Sequence, residues 1–146
     1  MEPVFSQQYC TLMPCQAGGI ASAGRRILSC LVEIVNGQLF LIHAPDVLVG
    51  RSPVPAVEIG DPPPWAAKVG TSAFVYVGGQ LWEIDFSRVG RAELKRSGPA
   101  GRLLASYGGG SIKSVKRARE LSREFIAALL REGATDGRLS PAPADG

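Results

Sequence analysis

At 146 residues, with 45% apolar and 20% charged side chains, the chain suits one folded domain and excludes a wholly disordered polymer. No run approaches the roughly 18 apolar residues that a membrane-spanning helix needs. The net charge of +3 is too small to specify a nucleic-acid partner by itself, so the placement of the charges matters more than their sum.

Residues 1–24 read as one strand followed by a loop. The strand runs from Val4 to Met13, with Phe5, Tyr9 and Leu12 as expected core contributors, and small residues fill Cys15 to Gly24. Arg25 and Arg26 then form a charged edge. Two β-rich runs follow, Leu31–Val35 and Gln38–Ile42, separated by Asn36-Gly37. That dipeptide tolerates the two positive φ angles of a type I′ turn, which makes it a strong hairpin signal. The turn sets Ile34 opposite Leu39, Val32 opposite Leu41, and Cys30 opposite His43, with Glu33–Phe40 and Leu31–Ile42 on the other face. Both faces are largely apolar, so the hairpin is expected to be covered on each side.

Val47–Val49 reads as a short strand stopped by Gly50. Of the proline-rich stretch Ser52–Trp65, only Ala56–Ile59 is free to pair, at an edge, because proline donates nothing to a ladder. Pro62–Pro64 suggests polyproline II, with Trp65 packing back on the body. Phe74–Val77, Gly78-Gly79 and Gln80–Ile84 repeat the hairpin device 42 residues later, with Val75 opposite Trp82. In that alignment Glu83 falls on the face opposite to that of Glu33, so the two hairpins are expected to turn different faces to the core. Whether the likeness is a duplication or turn chemistry used twice stays open.

Asp85–Arg91 is expected to leave the sheet, Ala92–Lys95 and Arg102–Tyr107 to be strands, Gly98–Gly101 a turn, and Gly108–Gly110 a break. From there a helical period runs over 111–132, capped by Ser111 and ended by Gly133. Its inner stripe is Val115, Ala118, Ser122, Phe125 and Leu129. Residues 134–146 are polar and aperiodic and read as a disordered tail.

The fold class that results is α+β: a small antiparallel barrel or roll of about six to eight strands over 25–133, closed by the C-terminal helix. In order of elements this resembles the pleckstrin-homology-like superfold, in which a terminal helix plugs an open barrel end. The expected core includes Val32, Ile34, Leu39, Leu41, Val75, Trp82, Ile84, Phe125 and Leu129.

Candidate sites are few. Lys113, Lys116, Arg117, Arg119 and Arg123 crowd the first half of the long helix and are the expected contacts for an anionic partner, with Arg96 and Arg102 as possible extensions. Glu120 and Glu124 among them allow the alternative of a solvated face with pairs such as Arg117–Glu120. His43 with Asp46 is the sole histidine–carboxylate arrangement, but its position beside Cys30 suits a hydrogen-bonded sheet histidine better than a general base. Gly50-Arg51-Ser52 and the later Asp85-Phe86-Ser87 resemble strand motifs of the forkhead-associated phosphothreonine-binding domain, and the resemblance implies a phosphate contact for Arg51.

Three cysteines cannot pair completely, and with one histidine they offer no metal-ligand spacing, so buried reduced thiols and no metal or cofactor are expected. The first residues lack the positive and apolar regions of a secretory signal, which points to the cytoplasm. Arginine outnumbers lysine 12 to 4 in a chain with 18 glycines and 11 prolines, a composition typical of GC-rich, bacterial coding. The functional expectation is a small non-enzymatic binding or adaptor module with a protein partner. The alternative is a nucleic-acid- or anionic-lipid-binding protein acting through the basic C-terminal helix.

Overall fold

A computed structural model describes residues 2–15, 27–43, 47–96, 98–100 and 112–138. Strand β1 (Phe5–Cys15) is followed by the meander β2 (Leu28–Val35), β3 (Gln38–His43) and β4 (Val47–Pro53). After a 3-10 turn at Val54–Ala56 come β5 (Glu58–Ile59), α1 (Pro64–Val69), β6 (Ser72–Val77), β7 (Gln80–Asp85) and α2 (Ser87–Arg96). The long helix α3 (Ile112–Arg131) and β8 (Thr135–Asp136) complete the described chain. All eight strands form one sheet in the order β4-β3-β2-β1-β7-β6-β5-β8. Every pairing is antiparallel except β5 with β8.

The hairpins form as the turn chemistry requires. Asn36 and Gly37 have φ of 54° and 71°, and Gly78 and Gly79 have 59° and 82°. Cys30–His43, Val32–Leu41, Ile34–Leu39 and Val75–Trp82 are cross-strand partners, as expected. The hairpins do turn different faces to the main core. Leu39 and Leu41 point into it from the first, whereas Val75 and Ile84 do so from the second, leaving Leu81 and Glu83 on the back.

Other expectations need correction. The first hairpin is not covered on both sides: Leu31, Phe40 and Ile42 are only half-buried, giving the alternation of a sheet with one solvated face. Gly50 does not stop β4. It lies opposite Leu41 within the ladder, and the strand continues to Pro53. The sheet is not closed into a barrel, since β4 and β8 are separate edges. One segment expected to help close it, Ala92–Lys95, belongs to helix α2. The other, Arg102–Tyr107, lies outside the described residues, as do Arg25-Arg26, Gly108–Gly110, Ser111 and Asp46.

Polyproline at Pro62–Pro64 gives way to α1, which starts on Pro64, where a missing N–H costs nothing, and ends on Gly70 in the left-handed conformation. Trp65 is 57% exposed on that helix instead of packing back. Trp82 is only half-buried at the edge of the core. The tail expected from Ala134 begins with ordered chain. The Thr135 and Gly137 N–H groups donate to Val57 and Ile59 carbonyls, adding β8, and Ala134 packs on the core.

The core joins β1, the β7–α2 junction and α3. Phe5, Phe86 and Phe125 meet there with ring centroids 5.2–6.0 Å apart, in tilted or edge-on contacts. Ala118, Ser122, Phe125 and Leu129 of α3 are buried as expected, while Ser114 replaces Val115 at the first turn. It does so because α2 crosses there. A β-carbon on Gly90 would collide with the Ser114 carbonyl oxygen and lie 3.2 Å from its carbonyl carbon. A second, smaller cluster of Cys15, Ala66, Phe74 and Leu81 holds α1 on the back of β6 and β7.

Candidate anion-binding groove

Two irregularities shape the site. In β1 the register slips between Gln7 and Cys10, so one extra residue bulges from the strand. Tyr9 sits on this bulge with φ of 66°, unusual for a non-glycine residue, and its side chain is 48% exposed. The second irregularity is the start of α2. The Asp85 carboxylate accepts both the backbone N–H and the hydroxyl of Ser87, at 2.9 and 2.7 Å, which turns the chain out of β7 and begins the helix.

Once helical, this segment places Arg88, Arg91 and Lys95 along one face by their i, i+3, i+7 spacing. Val89 and Gly90 are buried on the inner side. A groove of about 500 Å³ opens between this face and the bulge, lined by Arg88, Arg91, Lys95 and Arg96 with Tyr9, Ser29 and Ala92. A smaller one of about 230 Å³ adjoins it, sharing Tyr9 and Arg96. Among the described residues, neither wall holds a carboxylate. The Arg91 Nε is buried without a hydrogen-bond partner among the described residues.

The acid of α2 is turned elsewhere. Glu93 accepts from Arg117 Nε of α3 at 2.8 Å, and Arg117 also lies 3.5 Å from Glu120 and 3.4 Å from Glu124. The hydrogen bond to Glu93, with the nearby carboxylates, holds this guanidinium more firmly protonated than a free one.

The basic residues expected to act together on the long helix are therefore divided. Arg117 is consumed by the ion-pair network that clamps α3 to α2 and does not project freely. Arg119 donates to the Val69 carbonyl at 2.7 Å, closing the C-terminal end of α1. Lys113, Lys116 and Arg123 are exposed and line none of the grooves described above. Of the suggested extensions, Arg96 lies in the α2 groove and Arg102 is outside the described residues.

His43 is a half-buried sheet residue whose Nδ1–H donates to the Ser29 carbonyl at 2.9 Å. Arg51 is exposed on β4, and Asp85 and Ser87 serve the start of α2, so the forkhead-associated pattern does not assemble. All three cysteines are buried. Desolvation pushes the Cys10 thiol up to about 12 and the Cys30 thiol to about 11.

Arg88, Arg91 and Lys95 are not among the sites expected from the sequence, and Tyr9, expected in the core, is exposed. Reading Ala92–Lys95 as a strand hid the shared face, although the 88-91-95 spacing was its available signal. Nothing local links Tyr9 to that helix. Comparison with known proteins finds no matching family model, no matching curated protein and no matching solved structure.

Proposed function

We propose that the protein is a small non-enzymatic binding module that takes an anionic ligand in the α2 groove. The supporting observation is four cationic side chains along one concave wall, with no carboxylate among its described residues. Cations gathered along one wall repel one another, and an anion bound among them offsets that repulsion through charge-assisted hydrogen bonds. The site is thus moved from the C-terminal helix to α2. An antiparallel meander followed by a long C-terminal helix supports a pleckstrin-homology-like element order, although α1, α2 and β8 are additions to it and the sheet is open. No helix among the described residues is long and apolar enough to cross a membrane. A reducing, cytoplasmic setting belongs to the same reading, supported by the three buried thiols.

Elution from heparin along a salt gradient tests the location. The double variants Arg88→Glu/Lys95→Glu and Lys113→Glu/Lys116→Glu change net charge equally. The groove pair should elute at clearly lower salt than the parent, and the helix pair close to it. Equal shifts for both would reduce the effect to net charge and end the groove reading.

A further inference from the structure

Resting on that reading, we propose that the ligand of the groove is single-stranded nucleic acid, with one base stacked on Tyr9. Arg88 to Lys95 spans about 10 Å of helix axis at 1.5 Å per residue, too far for one phosphate to engage every cation. A ligand matched to this wall carries anions in series.

The second element is the ring. Tyr9 stands exposed beside Arg96 and Ser29 on a backbone conformation that glycine adopts with far less strain. A large aromatic held in that conformation at the mouth of a cationic groove supplies a flat π-face next to phosphate-binding side chains. Stacking platforms beside positive grooves are how proteins hold unpaired strands without reading sequence. A paired base offers no free face, so the arrangement selects against duplex. An anionic bilayer fits less well. Among the described residues that line the two adjoining grooves, Ala92 and the buried Val89 are the aliphatic ones, so little is available there to enter hydrocarbon. Ser29 on β2 adds a hydroxyl suited to a phosphate oxygen.

The full chain is titrated by fluorescence anisotropy into labelled single-stranded dT12, the same strand annealed to dA12, and vesicles of phosphatidylcholine with one-third phosphatidylserine. Single-stranded dT12 should bind best, and Tyr9→Gly should weaken it about five- to a hundredfold, the loss of one stacked base. Because glycine relaxes the bulge, the variant's melting temperature should hold or rise, so lost binding is not lost folding. Tyr9→Phe keeps the ring and should bind within about twofold of the parent. Heparin elution of Tyr9→Gly should be unchanged, since heparin has no base to stack. If Tyr9→Gly binds dT12 like the parent while Arg88→Glu/Lys95→Glu still loses heparin, the nucleic-acid inference falls and the groove stands. Duplex bound as tightly as single strand, or binding to vesicles alone, would also overturn it.

Discussion

Gly90→Ala separates two physical arguments by the sign of its effect. On propensity alone, alanine in a helix interior stabilises by roughly 0.8–1 kcal/mol over glycine. At this crossing, however, the new methyl group would collide with the Ser114 carbonyl oxygen, whose backbone is fixed within α3. Relief requires the helices to part, and overpacking of this kind typically costs about 1–3 kcal/mol. With a backbone atom as the obstacle the upper half of that range applies. The net is a loss of about 1–2 kcal/mol. For a domain of this size it corresponds to a fall of roughly 3–7 °C in melting temperature. Parting the helices also moves Arg88 and Arg91 relative to Tyr9, so anion binding should weaken with stability. Urea unfolding followed by circular dichroism measures the first effect, and heparin elution the second. A variant more stable than the parent by nearly 1 kcal/mol would show that α2 and α3 do not touch at Gly90, and the groove's geometry would lose its support.

Phe125→Ala should lose about 3–5 kcal/mol in denaturant melts, because the ring is fully enclosed against Phe5 and Phe86; Trp65→Ala, on an exposed helix face, should change stability by less than about 0.5 kcal/mol. Ending the chain after Gly133 should lower the melting temperature by several degrees through loss of β8 and Ala134, whereas ending it after Arg138 should leave it nearly unchanged. Cys10 and Cys30 should resist iodoacetamide at pH 8 until the protein unfolds: with a thiol at about 12, roughly one Cys10 in ten thousand is ionised, and access is closed as well. Their folded values lie above the ordinary 9.0, so this contribution to stability is intact below pH 9 and declines as pH rises toward 11–12. A urea midpoint that stays flat from pH 8 to 11 in the parent, but not in a Cys10→Ala/Cys30→Ala control, would contradict this.

What the sequence determined by itself is local. Asn36-Gly37 and Gly78-Gly79 each impose positive φ at two successive residues, and a two-residue turn then dictates every pairing in its hairpin. The apolar period of α3 and the glycine that ends it are equally short-range, which is why Phe125 and Leu129 were identifiable as core. Tertiary structure decided the rest. The segment 87–96 carries an ambiguous pattern; Asp85 binding Ser87 and the fit of Gly90 against Ser114 make it a helix. Trp65 and Trp82 exchange the roles expected of aromatic residues for exposed and half-buried positions, because burial depends on which layer covers each face. β1 becomes the strand that joins the two hairpins only by pairing with β2 on one side and β7 on the other, through contacts up to about 70 residues away. Its bulge sets Tyr9 beside arginines about 80 to 90 positions further along the chain. A binding wall assembled across that separation leaves no mark in local periodicity, since the forces that build it act between surfaces that meet only when the sheet forms.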